Sequence, residues 1–579
     1  MRRDKKATLP DPRDAGLTGK DPTFDPASIA ILQRLNQVLE SVGDIPGIIK
    51  TNVETALKNT ANPAARVDAF SDSQGLNADD LTAPTGISSV ESVLDWPILA
   101  GIVDPGHILE ALSDTKAGRG HASSLTSGTD NVLGFNAGRR PIAMNEKEIP
   151  RLVQQFLQHV HPVNPILDVD EIYSHSLRIS ETGITWDGES CIVLIACALG
   201  CIAKPYDTMV TSPSETSTTS SIESQGEELE MANAYFELAR QRLGLLDQGL
   251  LAAQCHFFAG VYYMFTLAPL RAWSQFEHAA NTFYIYWKYL SRKDSQSVRL
   301  ARSFYWSCLK SQVELGLDLQ LPQSVLKDLH DAGSELPTPP EINAPHSRQT
   351  RAIFPPPGET SAEDLGSVQE ESWYYYLTEI TLRRFNNRAF NLLYRDGKGW
   401  GTAESLSIES LISAVSQVEE QLDNWAQRMP LMAQITMGAL PTNKLALLLY
   451  ARILELKCLI YRPFLYHAAH STMSDREQAE ISPFVDKGLS CHFLAITIGY
   501  LHYRNHITYY HFRSSTASAL CIMAIVKSRK VHAVHEMDWR GGVEELIKKI
   551  RYWEDEAATA GRCADVLEAV MSSVEQSLL

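Results

Sequence analysis

From Asn145 onward, apolar residues recur at helical spacing in one segment after another, and the alternation typical of strands is almost absent. In the first such segment the apolar positions from Leu152 to Val160 share one helical face, and Pro162 and Pro165 follow it. A chain of this kind buries its apolar faces by packing helices against each other, so the sequence predicts an all-α fold. No repeat of fixed period is visible, and we therefore expect a large irregular helical bundle or array.

Three regions lack this periodicity. Residues 1–145 mix short apolar pieces with Pro, Gly, Ser and Asp, which predicts a largely disordered linker. Its one helical piece, at 29–42, is either a short dimerisation element or a surface helix. The Ser/Thr-rich region 205–228 and the proline-rich region 331–365 predict two long disordered loops. We expect the helical body to span 146–575, interrupted by these loops.

The apolar run from Leu445 to Tyr461 contains only three charged residues, which indicates a buried helix. Pro463 lacks an amide hydrogen and disfavours the α conformation at Arg462. We therefore expect the helix to end there, with the arginine beside the terminal carbonyl groups. On this interpretation Arg462 is structural, and an Arg462→Ala substitution lowers the melting temperature more than it alters any specific contact.

The overall charge limits the partners of the chain. It has 52 Lys and Arg against 69 Asp and Glu, a net charge of -17, so any contact with nucleic acid or anionic membrane must be local. The residues that could make a weak, salt-sensitive contact with a DNA backbone are Arg2, Arg3, Lys5 and Lys6. The N-terminal residues lack the apolar stretch of a signal peptide, and the apolar run Cys191–Ala203 is shorter than the roughly 20 residues that span a bilayer. We expect a soluble intracellular protein.

A search for reactive motifs finds no phosphate-binding GxxxxGK[ST] loop, no GxSxG, no HExxH and no aspartate-rich DDxxD sequence. None of the nine cysteines forms a CxxC pair, and Cys191, Cys197 and Cys201 are interpreted as core thiols. His502 and His506 have a spacing that could place both on one helical face, but no carboxylate or cysteine stands at a matching position. The sequence therefore predicts no catalytic, cofactor-binding or metal-ligating residue, and no enzyme.

Read in chain order, seven segments resemble the regulatory region, also called the middle homology region, of fungal zinc-cluster transcription factors. They are IPRLVQQFLQHVHPVNPILDVDEIY, CIVLIACALGCIA with ANAYFELARQRLG, LRAWSQFEHAANTFYIYW, RSFYWSCLKSQVELGLDLQLPQS, ESWYYYLTEITLRRFNNRAFNLLY, LDNWAQRMP and LYARILELKCLIYRPFL. The similarity covers roughly residues 146 to 530. The positions that match the signature of that region, all with structural roles, are Trp273, Trp306, Trp425, Arg462, Pro463 and Phe464.

The chain departs from that family in one respect. Members usually begin with a short module in which six cysteines hold two zinc ions and a basic loop contacts DNA, whereas no cysteine here precedes Cys191. Such a module depends on its metal for folding, by about 10–16 kcal/mol in small zinc-binding peptides. We expect either that an upstream exon is missing from this sequence, which we favour, or that this member lacks DNA recognition. Zinc is expected as a cofactor only with that upstream module.

The resemblance implies a nuclear regulator of RNA polymerase II transcription in a fungus, with the helical body as its regulatory and effector domain. A role in a metabolic or secondary-metabolite gene cluster is typical of the family. The resemblance also implies a homo- or hetero-dimer, co-regulators, a small-molecule effector as a further option, DNA as partner only with the upstream module, and no membrane. Two alternatives remain: a partner protein that hetero-dimerises with a related factor without binding DNA, and a helical enzyme of unknown type.

Overall fold

The computed structural model describes residues 89–112, 145–206, 218–290, 295–329, 336–337, 363–394, 407–427, 441, 443–497, 503–531, 534 and 537–579. Within these ranges the chain forms sixteen α-helices and no β-strand, which confirms the predicted all-α fold. The predicted helix at 29–42 lies outside the described residues.

The helices of the N-terminal part are α1 (Val90–Leu94), α2 (His107–Glu110), α3 (Ile149–His159), α4 (Val169–Thr182), α5 (Gly188–Ile202), α6 (Thr218–Leu243), α7 (Leu250–Phe265), α8 (Pro269–Ile285) and α9 (Ser295–Leu319). Those of the C-terminal part are α10 (Glu363–Tyr394), α11 (Ile408–Gln427), α12 (Lys444–His470), α13 (Asp475–Thr497), α14 (Thr508–Ser528), α15 (Trp539–Arg551) and α16 (Ala558–Leu578). Short 3-10 turns at Glu146–Glu148, His161–Val163 and Val325–Asp328 and a π-turn at Tyr286–Leu290 adjoin them.

Helix α5 lies at the centre of the N-terminal group, and almost all of its side chains are buried. It packs against α3, α6 and α7, so nearly every face of it is apolar. Gly200 allows a close approach of α5 to α3, because a Cβ atom there would lie 2.1 Å from the carbonyl oxygen of Leu152 on α3. The absence of a side chain at this position is therefore what lets the two helices cross at this distance.

Helix α14 has the same central position in the C-terminal group, where it packs against α12, α13 and α16. Helices α9 and α10 connect the two groups, since α9 packs on α8 and α10, and α10 packs on α12. One hydrophobic core is continuous through both groups. The motif-bearing segments of the sequence therefore share a single interior.

Residues 89–112, which we call the strap, belong to this core although the sequence places them in a disordered linker. Helix α1 packs on α14, and α2 packs on α16. The Trp96 side chain is fully buried, as are those of Val93, Leu99 and Ile108. The interpretation of 1–145 as a largely disordered linker did not single out the strap, because helices of five and four residues are too short to show a helical period.

The sequence predicts that α12 ends at Arg462, before Pro463. This prediction is wrong, because the helix continues to His470. A proline in a helix leaves the carbonyl oxygen four residues earlier without its amide donor. That oxygen belongs to Leu459, and the Tyr394 hydroxyl of α10 donates a hydrogen bond to it at 2.7 Å. The neighbouring helix supplies the missing donor, which removes the reason for the helix to stop.

Both predicted loops are shorter than expected where the structure describes them. Helix α6 already begins at Thr218, within the predicted loop 205–228, and α10 begins at Glu363, within 331–365. Extending a helix costs less than starting one, so the packed part of α6, around Tyr235 and Phe236, supports further polar turns before it.

Candidate functional site

The signature residues of the resemblance lie in the core, apart from Trp273, which is packed against it. Arg462 is buried within α12, so it does not cap a helix end. Its positive charge affects two side chains on other helices. Burial lowers the pKa of His492 on α13 to about 3, and the Arg462 charge contributes to this decrease. Burial raises the pKa of Cys521 on α14 to about 11, although the Arg462 charge opposes this increase. Phe464 stacks on Phe484 of α13 with ring centroids 4.6 Å apart. Arg462 is accordingly placed as an internal charge between packed helices.

The three signature tryptophans come from three different helices. Trp273 of α8 is half-buried against the core, and Trp425 of α11 is buried. Trp306 of α9 is buried, with the Arg384 guanidinium 5.8 Å from its ring centroid. Each of them fills space between helices. The predicted DNA-backbone contacts Arg2, Arg3, Lys5 and Lys6 lie outside the described residues.

Cysteines and histidines form no metal centre in the part of the chain that the structure describes, where no group of three or more His, Cys, Asp or Glu could hold a metal ion. Burial raises the pKa of the Cys197 and Cys255 thiols well above the usual range, so they stay protonated. His506 lies in the turn before α14 instead of on a helix, and His502 lies outside the described residues. His506 is therefore not part of the helical face that its spacing from His502 suggested.

A cluster of charges lies in the interior on α9, α10 and α12. Lys310 and Glu379 form an ion pair whose side chains are 8% and 3% exposed. Glu314 pairs with Arg383 at 2.6 Å and with Arg452. Burial acts to raise the pKa of Glu379, but Lys310, Arg452 and Arg383 together outweigh it, and the pKa falls below its usual value. Glu379 is therefore held ionised among cations.

A second group of charges joins this cluster on α14 and the strap. The Arg513 guanidinium, 2% exposed, donates from Nε to Asp318 at 3.0 Å. Its two terminal nitrogens donate to the two carboxylate oxygens of Glu91, at 3.1 and 2.8 Å. The Tyr509 hydroxyl also donates to Asp318, at 3.1 Å. Burial raises the pKa of Asp318, against the opposing effect of Arg513. One buried arginine thus holds two carboxylates, one from the body and one from the strap.

A small cavity of about 40 Å³ lies between the two groups of charges. Val90 of the strap, Asp318, Arg383, Asn386 and Arg513 are among the residues that line it. A water molecule needs about 10–15 Å³ of such volume, so the cavity has room for a few waters and not for a metabolite. The Oδ1 atom of Asn386 is buried without a hydrogen-bond partner, so a water in the cavity could donate a hydrogen bond to it.

The arrangement can fix helices relative to each other and can receive a carboxylate. Paired buried charges of this kind specify which surfaces meet, since a wrong pairing would leave a charge without a partner in the interior. We find no nucleophile with an adjacent base among the cluster residues, whose charges pair with one another. In the described part of the chain, no helix combines the length and the apolar character needed to cross a membrane.

Sequence reasoning missed this cluster, although a signal was present. Lys310, Glu314 and Asp318 stand at intervals of four on α9, and Glu379 and Arg383 do so on α10. Charges that recur at helical spacing can face either solvent or another helix, and their partners are far away in the sequence. The pairing therefore became visible only with the packed helices.

Comparison with known proteins gives no further guide to the site. No family model matches the chain, and searches of curated proteins and of solved structures find no match.

Proposed function

We propose that this chain is the regulatory and effector body of a fungal transcription factor of zinc-cluster type, acting in the nucleus on RNA polymerase II genes of a metabolic or biosynthetic cluster. The observation that supports the proposal is the order and packing of the resembling segments. These segments contribute, in chain order, to α3, α5 with α6, α8, α9, α10, α11 and α12, all of which pack into one core. A single regulatory body requires such a shared interior.

The charge cluster adds support for a rigid platform. It ties together α9, α10 and α12, three of the helices that carry the resemblance, through Lys310, Glu314 and their partners. Buried pairs of this kind resist sliding of one helix past another, because each pair would have to break in the interior. A platform with a fixed surface suits the binding of co-regulators or of a dimer partner.

The test is a tethering experiment. The full chain is fused to an unrelated DNA-binding domain in a fungal host that carries a reporter gene with the matching site. We expect reporter expression to differ from that given by the DNA-binding domain alone. The control variant is Gly200→Val, in which the new side chain would meet the backbone of Leu152; it should abolish the effect by disrupting the body.

Two outcomes would favour the alternatives. A fusion that is expressed, nuclear and folded but leaves the reporter unchanged would overturn the proposal as an effector. Co-purification of a related zinc-cluster factor from the same cells would then favour the hetero-dimer partner. Turnover of a metabolite by the purified chain would favour the helical enzyme.

A further inference from the structure

The strap has the composition of a peptide ligand. Its 24 residues include four carboxylates, no lysine and no arginine, alternating with Val, Leu, Ile and Trp side chains. Helices of five and four residues do not persist alone in water, where even 12 to 15 residues are marginal. The strap therefore takes its structure from the surface on which it lies, as an amphipathic peptide does in a binding groove.

The body meets the strap with complementary groups. Arg513 makes the two-pronged contact with Glu91 described above. The Trp96 ring lies edge-on to Tyr466 and His470, with centroids 5.4 and 5.7 Å away. The Ile98 amide donates to Nε2 of His470 at 3.2 Å. An acidic segment is thus recognised at a charged contact and at an aromatic contact five residues later.

Release of the strap would not leave the Arg513 guanidinium without a carboxylate partner. Arg513 keeps Asp318 as a partner whether or not Glu91 is present, and Tyr509 keeps its hydrogen bond to Asp318. Removing one member of a buried ion pair is costly when the other is left uncompensated. Here Asp318 of α9 still compensates the charge through Nε of Arg513, and only the two terminal nitrogens need water in place of Glu91.

The boundary between strap and body also contains the cavity of about 40 Å³, one wall of which is Val90. Asp318, Arg513 and Ser514 of the body form part of the opposite side. This cavity is partly open to solvent, so the strap and the body are not completely packed against each other at this boundary.

We propose that the surface beneath the strap is a docking groove for acidic amphipathic peptides, which the strap occupies in cis as a displaceable ligand. The recognised pattern is a carboxylate followed five residues later by a tryptophan, with Arg513 and the Tyr466–His470 pair as the receptors. A second peptide with this pattern competes with the strap in trans. The inference does not depend on the proposed function.

The first test uses a labelled peptide of residues 89–112 and the full-length chain, with binding followed by fluorescence anisotropy. The wild-type chain should bind it weakly, since its groove is occupied. A Trp96→Ala chain, whose own strap is weakened, should bind the native peptide at least about ten times more tightly, as the available fraction of the groove rises. Equal affinity for both chains, or binding to neither, would overturn the proposal, provided that the variant keeps wild-type helix content.

A pair of peptides tests the charged contact. Glu91→Gln removes the carboxylate that meets Arg513, whereas Asp95→Asn removes an exposed carboxylate four residues further along. The first peptide should bind the Trp96→Ala chain at least about ten times more weakly than the native peptide, and the second should bind like it. Equal losses would mean that only overall charge is read, and the groove would not be a specific receptor.

Hydrogen exchange on the unaltered chain decides the matter if Trp96→Ala does not fold. The amides of Leu99 and Ala100 are hydrogen-bonded to the Trp96 carbonyl within the strap. A displaceable strap opens by itself, so these amides should exchange at least about a hundred times faster than those in the middle of α14. Exchange of the strap and α14 at one common rate would show that the strap is an inseparable layer of the core.

Discussion

At the scale of single residues, Pro463 shows how a reliable local rule is overridden by a distant partner. The rule that a proline ends a helix rests on an unpaired carbonyl group. In this chain the Tyr394 hydroxyl donates a hydrogen bond to that carbonyl oxygen, at Leu459. This bond offsets the cost of leaving the carbonyl unpaired, so α12 can continue past the proline. The sequence correctly indicated a buried helix at Leu445–Tyr461, but the position of Tyr394 beside it could not be read from local spacing.

Removal of this hydroxyl should destabilise the protein. We expect Tyr394→Phe to lower the free energy of unfolding by about 1–3 kcal/mol, because the Leu459 carbonyl is left buried and unpaired. Urea unfolding measures the change. A Pro463→Ala background restores the amide donor within α12, so the same Tyr394→Phe change should cost clearly less there. Equal costs in both backgrounds would show that the hydroxyl does not replace the missing amide.

Burial of His161 makes stability depend on pH. Burial lowers the pKa of His161 to about 4, and its Nε2 accepts a hydrogen bond from the Leu167 amide at 3.2 Å. The unfolded chain therefore binds more protons between about pH 6.5 and pH 4, and folded-state stability falls as the pH falls through this window. At pH 4 the loss from this residue should be about 3 kcal/mol.

The measurement is urea unfolding of the wild type and of His161→Gln at pH 7 and pH 4. Glutamine offers an acceptor to the Leu167 amide that does not titrate, so the variant should lose less stability on acidification. His278→Gln, a change at an exposed histidine, serves as the control and should follow the wild type. A pH dependence that is identical in all three chains would contradict the assigned role.

At the scale of helices, long periodic segments were predictable and short ones were not. Helices α3, α9, α12 and α14 match apolar patterns in the sequence, because each presents several turns with a consistent face. Helices α1 and α2 have too few turns to show a period, and the sequence of α6 before Gly226 contains a single apolar residue, Ile222. For these, packing or extension from a neighbouring turn decides the structure, and neither is a local property.

The crossing of α3 and α5 gives a prediction at this scale. A Gly200→Ala substitution would place a methyl group 2.1 Å from the Leu152 carbonyl oxygen, so the helices must move apart. We expect a loss of about 1–3 kcal/mol in the free energy of unfolding, as for other overpacked core positions. The matched control is Gly226→Ala in α6, where the new methyl meets no atom within 4 Å. It should be neutral or stabilise by about 0.5–1 kcal/mol.

For the whole molecule, the sequence indicated the fold class and the class of residues in the core but not how the two groups of helices are joined. The joining region depends on Lys310, Glu314, Glu379, Arg383 and Arg452, which come from three helices. A charge on a helix has many candidate partners in a long chain, and only the packed structure selects one. The same limitation applied to Glu91 and Arg513, which are 422 positions apart.

Breaking this joint should destabilise the entire body. Glu314→Gln removes the charge that Arg383 and Arg452 share, in a side chain that is 12% exposed. We expect a loss of about 3–5 kcal/mol, as when one member of a buried ion pair is removed. Glu455→Gln, which removes the 30% exposed partner of Arg452, should cost no more than about 1 kcal/mol. Chemical denaturation compares the two, and equal losses would argue against Glu314 as the central carboxylate.

The noncovalent contact between Glu91 and Arg513 connects two distant parts of the chain, one of the first described residues and a helix near the C-terminus. A second such connection is the hydrogen bond between a terminal nitrogen of Arg562 and Nε2 of His107, at 3.1 Å. A pulling force on the residues before the strap would consequently reach α14 and α16 directly, without passing through the roughly four hundred residues of the chain in between.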